Sequence, residues 1–240
     1  RRVIRSVSLA KILHIESSTL TCSVAIAVDG KTVSLKETHD QSYAHSEKLV
    51  VFIDEAIKKA ELKPADLDAV CVAKGPGSYT GLRIGVSAAK GLCFGLQIPL
   101  ISVGSLTSMA HWAHFHYNDK LEDFKLLVPM IDARRMEVYA QQFYADLNPA
   151  SAVEAVIVDE ESFAEELATG KVVFFGDGAE KCTSLLSSNN AVFIPDFHPS
   201  ARGMITLAES KFRAKEFEDV AYFEPYYLKD FVAGKPKTMF

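Results

Sequence analysis

Lys74-Gly75-Pro76-Gly77-Ser78-Tyr79-Thr80-Gly81-Leu82-Arg83-Ile84-Gly85 decides how this chain is read. It follows an apolar run at 67–73, with β-branched Val70 and Val72, that reads as a buried strand. It leads into 82–96, mostly apolar or small, which reads as a helix. Gly75 and Gly77 admit backbone angles that side-chained residues resist, and Pro76 fixes one dihedral between them. Ser78 and Thr80 carry hydroxyls suited to capping the free N–H groups of a first helical turn. Such a turn aims amide donors outward and suits an anion. A tight strand-to-helix turn that binds nothing has the same pattern. Spacing removes two alternatives. No glycine has the register of a P-loop, and counted from Gly75 the sixth position of a dinucleotide fingerprint is Thr80.

Upstream, 11–15 and 23–28 read as strands joined through Glu16-Ser17-Ser18-Thr19-Leu20-Thr21, and Asp29-Gly30 turns the chain into a third strand at 32–36. His45 opens a helix to about residue 60, with Leu49, Phe52, Ile53, Ala56, Ile57 and Ala60 on one apolar stripe. The helix after the glycine loop carries Gly81, Gly85, Ala89 and Cys93 at four-residue intervals. Such a stripe admits close approach, either by the chain's own sheet or by a helix of another subunit.

Downstream, 99–103 reads as a strand, and Gly104-Ser105 introduces a helix ending in His111-Trp112-Ala113-His114-Phe115-His116. The aromatics between these histidines and the lack of neighbouring carboxylates favour an amphipathic helix end over a metal site. Strands at 125–131 and 137–144 flank Asp132-Ala133-Arg134-Arg135. The alternation continues through a strand at 153–158, an acidic helix at 160–168 and a strand at 171–175. Gly176-Asp177-Gly178-Ala179 then follows a strand and precedes an expected helix, a second turn of the kind that suits an anion. A strand at 191–194 and a helix at about 204–217 complete the series, which suggests two α/β units on mixed sheets.

The 240 residues carry 24% charged side chains and a formal net charge of −5, without the basic excess of a protein that grips RNA through phosphates. The four cysteines form no CxxC pair, which argues against a zinc site or disulfide framework and suits a reducing cytoplasm. Lys11 and Glu16 interrupt any signal-peptide core. No run is suited to a membrane span.

The glycine stretch as a whole resembles the signature of the TsaB (YeaZ) family, and the likeness extends over nearly all of 11–230, including Asp132-Ala133-Arg134 and the Glu224-Pro225-Tyr226-Tyr227-Leu228-Lys229 ending. The resemblance implies two ribonuclease-H-like domains of the actin/Hsp70/sugar-kinase class: 11–107 with 203–240, and a smaller one at 108–202. Residues 1–10 are then an extension or expression remnant. It implies a non-catalytic dimerisation subunit that binds and activates TsaD, with the ATPase TsaE, for threonylcarbamoylation of a tRNA adenosine beside the anticodon. A homodimer is possible in isolation, and tRNA is met only through the complex. No cofactor is expected on this subunit, with ATP and a metal ion on its partners.

The partner interface implied is His45, Leu49, Phe52, Ile53, Ala56, Gly81, Gly85, Ala89 and Cys93, so that Ala89→Glu is expected to break association and spare the fold. The nucleotide- or anion-facing loops implied are Glu16, Ser17, Ser18, Lys74, Gly75, Gly77, Ser78, Thr80, Arg83, Gly176 and Asp177. Two departures weigh against independent catalysis. Glu16-Ser17-Ser18 stands where relatives have Asp-Thr-Ser, and Leu49 stands where TsaD has the second histidine of a metal-binding pair. An autonomous ATPase or phosphotransferase using Glu16 and the glycine turns is the competing reading.

Overall fold

The computed structural model describes residues 9–39, 45–117 and 121–229, with only the backbone of His45. Residues 1–8 of the expected extension and the last part of the expected first domain, 230–240, lie outside these. The first sheet holds β1 (Lys11–Glu16), β2 (Cys22–Val28), β3 (Lys31–Thr38), β4 (Ala69–Ala73) and β5 (Leu100–Val103). Their spatial order is β3-β2-β1-β4-β5, antiparallel from β1 to β3 and parallel across β1, β4 and β5. All five residues of β4 are buried, as a strand covered on both faces requires.

Helices α1 (His45–Lys59) and α2 (Tyr79–Leu96) cover one face of this sheet. There Leu13, Ile15, Val24, Val70 and Val72 pack with Leu49, Ile53, Val86 and Ala89. The opposite face, with Ile12, Cys71 and Ile101, is closed by residues from the far end of the chain. These are Ala201 and Met204 on a one-turn 3-10 helix and Ala208 on α5 (Ile205–Ala214).

The second sheet repeats the plan. It comprises β6 (Phe124–Asp132), β7 (Glu137–Ala140), β8 (Phe143–Tyr144), β9 (Glu154–Ile157), β10 (Lys171–Phe175) and β11 (Ala191–Ile194). Its order is β11-β10-β6-β7-β9, antiparallel through β6, β7 and β9 and parallel through β6, β10 and β11, with β8 paired to β6. Read from β9, this is the first sheet's order again. Both are ribonuclease-H-like sheets, and the pair has the actin/Hsp70/sugar-kinase architecture.

Helix α3 (Ser105–His116) packs Leu106, Met109, Ala110 and Ala113 on the second sheet. A boundary between 107 and 108 therefore cuts a helix that packs as one piece. The other face carries α4 (Ala164–Thr169), through Leu167. Helix α3 crosses the 3-10 turn before α5, where a Cβ on Gly203 would strike the Ser108 carbonyl.

Several elements differ from expectation for local reasons. Helix α2 begins at Tyr79 because the Ser78 hydroxyl accepts from the Gly81 N–H at 3.2 Å. The expected strand at 137–144 breaks after Ala140, where Ser151 instead receives the Gln142 N–H (3.0 Å). The acidic helix shortens to α4 because Asp159 and Ser162 close a turn on each other. After Gly178 only a 3-10 turn forms, Glu180–Cys182. The last helix stops at Ala214, where Lys215 takes the left-handed conformation.

Candidate functional site

The loop after β1 and the glycine loop before α2 meet, and they meet without a gap. Ser78 N–H donates to the Ser18 carbonyl at 2.7 Å. A Cβ on Gly77 would strike that carbonyl, so glycine is required there for close backbone approach. The Ser17 hydroxyl donates to the Gly81 carbonyl at 2.9 Å, and a Cβ on Gly85 would overlap the same hydroxyl. The small side chains at 81 and 85 thus make room for the chain's own β1 loop. The Ser78 N–H, one of the donors expected to face an anion, is thus spent on the chain's own Ser18 carbonyl. Gly77→Ala is expected to destabilise the chain by about 3 kcal/mol in urea unfolding, with an unchanged m-value.

Glu16 is fully buried. Its Oε1 accepts from the Ser18 N–H (2.7 Å) and hydroxyl (2.6 Å), while Oε2 has no partner among the described residues. Burial pushes the carboxyl above its ordinary value, and the Ser18 and Ser17 hydrogen bonds only partly oppose this. His14, two residues earlier on β1, is also fully buried, and burial lowers it from its ordinary 6.5 to about 4.

The two groups act on stability with opposite sign. The folded state favours protonated Glu16, so its contribution is complete below the unfolded carboxylate value and is lost as pH rises through the folded one. The folded state favours neutral His14, so its contribution holds above 6.5 and is lost as pH falls to about 4. Glu16→Gln should therefore match the parent's melting temperature in acid and exceed it by about 3 °C at pH 8, measured by calorimetry across pH. A constant difference at all pH values would contradict this.

The C-terminal segment lies over the other edge of the glycine loop. Tyr226 N–H donates to the Lys74 carbonyl at 2.7 Å, and a Cβ on Gly75 would sit 2.6 Å from the Tyr226 carbonyl. Lys90 on α2 donates to the carbonyls of Ala221 and Phe223. Arg83 lies over the Tyr79 ring at 4.7 Å, and that ring contacts Tyr227 at 4.9 Å. Lys229 pairs with Glu137 on β7. Thr80 is exposed on the first turn of α2. Gly176 and Asp177 lie elsewhere, on the second sheet, where Asp177 Oδ1 accepts from the Asp132 N–H at 3.0 Å. Arg134 and Arg135 are exposed at the β6–β7 turn, both left-handed.

The expected partner interface needs correction. Leu49, Ile53, Ala56, Gly81, Gly85, Ala89 and Cys93 are buried in this chain, most of them in the first core, and Phe52 is half-buried against it. They face the chain's own sheet and β1 loop, so the close approach they permit is internal. The His45 side chain lies outside the described residues. The outward faces of the same helices carry different apolar groups: Val50 (67% exposed) and Val51 (51%) on α1, and Phe94 (75%) on α2. Beside Phe94, a Cβ on Gly91 or Gly95 would meet nothing within 4 Å. Internal packing does not explain these helix-weakening glycines. The available signal was apolar residues lying off the helical stripe.

Among the described residues no group of three or more His, Cys, Asp or Glu side chains is placed to hold a metal. The His116 ring stacks on Trp112 at 4.3 Å, and the Arg202 guanidinium lies over the same Trp112 ring at 4.0 Å. No helix among the described residues is long and apolar enough to cross a membrane.

Comparison with known proteins adds the following. The family model described as TsaD, tRNA N6-adenosine threonylcarbamoyltransferase, matches residues 38–237. The "tRNA threonylcarbamoyladenosine biosynthesis protein TsaB" of Haemophilus influenzae is 28% identical over 93% of this chain and 95% of its own length. The protein of the same name from Escherichia coli is 29% identical over 94% and 97%. In structure, YeaZ from Pseudomonas aeruginosa superposes with a TM-score of 0.75 at 23% identity, covering 92% of this chain and all of that one. A second Pseudomonas aeruginosa structure, described as similar to peptidase YeaZ, gives 0.79 at 21% with the same coverage. The chain belongs to the tRNA N6-adenosine threonylcarbamoyltransferase family, on its TsaB (YeaZ) branch.

Proposed function

We propose that this chain is a non-catalytic subunit of tRNA threonylcarbamoyladenosine biosynthesis that binds and activates a TsaD-like catalytic chain. The names of its relatives supply the pathway. The observation that carries the docking role is on the outward sides of the neighbouring helices α1 and α2: Val50 and Val51 are exposed on the first, and Phe94, with the open Gly91 and Gly95, on the second. Exposed apolar groups grouped on adjacent helices mark an interaction surface, and bare glycines let a partner's backbone come close. The closed contact between the Ser18 and Gly77–Ser78 loops, with Glu16 held toward its neutral form, supports leaving catalysis to the partner. ATP and a metal ion then belong to the partner subunits. A TsaE-like ATPase joins the assembly, tRNA is met only through it, and the same helix face serves a homodimer when the chain is alone.

Co-expression with a TsaD-like chain tests this. A stoichiometric complex that carries threonylcarbamoyl transfer, which neither chain performs alone, is the expected result. Turnover of MgATP by the isolated chain, followed by calorimetry and phosphate release, would favour the autonomous ATPase instead.

A further inference from the structure

The second unit holds a cavity of its own, about 190 Å³, between β9, α4 and the stretch of chain that follows β7. It lies on the α4 face of the second sheet, where Val156 and Phe163 pack against the core. No residue of the first unit lines it. At about 30 Å³ for each water-sized group, it has room for about six non-hydrogen atoms.

The side-chain donors around this cavity are already spent. The Gln141 amide N–H donates to the Ser151 carbonyl at 3.1 Å, and that of Gln142 to Glu166 Oε1 at 2.7 Å. The Ser151 and Ser162 hydroxyls donate to the Ala152 carbonyl and to Asp159 Oδ1. What remains is acceptors. Gln141 is nine-tenths buried, and its carboxamide oxygen has no partner among the described residues. Its nitrogen is tied to Ser151, which lines the same cavity, and this keeps the head group there. Glu166 is half-buried, with Oε2 also unpartnered among the described residues, and Glu154 stands exposed at the mouth with neither oxygen engaged. No Lys, Arg or His lines the cavity.

Two carboxylates alone would be an ordinary solvated surface. A buried amide oxygen left without a donor beside them is not, because such a group costs stability unless something donates to it. A protonated primary amine answers this set, with three N–H donors, no acceptor and one positive charge. Phe163, its ring held by an edge contact with Phe174 at 5.3 Å, joins Val156 and Ala140 in an apolar wall that a bare cation would leave unused.

We infer that this cavity binds a small aliphatic amine in its ammonium form, the nitrogen toward Gln141 Oε1, Glu166 and Glu154 and the carbon chain along Phe163 and Val156. The site is separate from the partner surface on α1 and α2 and does not depend on the subunit role.

The test uses the full chain and n-pentylamine as probe, with 1-pentanol, pentanoate and ammonium chloride as controls at equal ionic strength. An NMR titration should show one saturable site with Kd of about 1 mM or tighter, as a probe of about six non-hydrogen atoms allows. The shifts should centre on Gln141, Ser162 and Phe163, a readout on the unmodified chain that needs no variant to fold. Pentanol and ammonium should each bind at least tenfold more weakly, and pentanoate not at all. Glu166→Gln, which keeps an acceptor for Gln142, should weaken the amine about tenfold. Absence of saturable binding would overturn the proposal. So would shifts centred elsewhere, equal affinity for pentanol or ammonium, or indifference to Glu166→Gln.

Discussion

Phe94→Glu combined with Val51→Glu is expected to abolish capture of a TsaD-like chain while leaving the melting temperature within about 1 °C of the parent. Both side chains are more than half exposed, and exposed substitutions away from caps and networks shift stability by about 0.5 kcal/mol or less. At a docked apolar surface the same charges are stripped of water without a partner. Aromatic anchors such as Phe94 commonly contribute about 2 kcal/mol or more each, so affinity should fall by about 100-fold or more. Pull-down and surface plasmon resonance would measure this. Unchanged association would place the partner on another face, and a lowered melting temperature would show that these groups belong to the fold.

Ala89→Glu is expected to do the opposite of what the four-residue stripe suggests. Ala89 is fully buried between α2 and the first sheet, among Val70, Val72 and Val86. A carboxylate there has no partner and no room, and the combined cost is about 4 kcal/mol or more. Against a total stability of about 5–15 kcal/mol, that lowers the melting temperature by roughly 10 °C or prevents folding. Association would be lost only because the chain is lost. Circular dichroism melts decide the matter, and a variant as stable as the parent would contradict the placement of α2.

The architecture was legible because strands here announce themselves by short apolar runs closed by turns, as at Ala69–Ala73 and Lys171–Phe175. The glycine loop was found for the right residues and read for the wrong neighbour. Spacing shows that the small residues at 81 and 85 admit close approach, but only the fold reveals that Ser17 meets them and that Ser18 lies against Gly77. Helical periodicity identifies a stripe of small or apolar residues without saying whether sheet or partner lies against it. The exposed Val50, Val51 and Phe94 were visible as departures from that periodicity, which marks them as the more telling residues. Tyr226 and Lys211 had no sequence signal that placed them beside Lys74. They lie more than a hundred residues from it, and only the return of α5 onto the first sheet joins them.

That return has a bearing on how the chain is made. Residues 11–103 leave the ribosome ahead of the rest of the fold, yet Ile12, Cys71 and Ile101 wait for Ala201, Met204 and Ala208 to shield them. The stretch from Ser105 to Ile194, by contrast, carries its own helix and both sides of its own sheet. The later-born half can thus mature as a continuous piece, while the older half stays open until Ala201–Ala208 have been made.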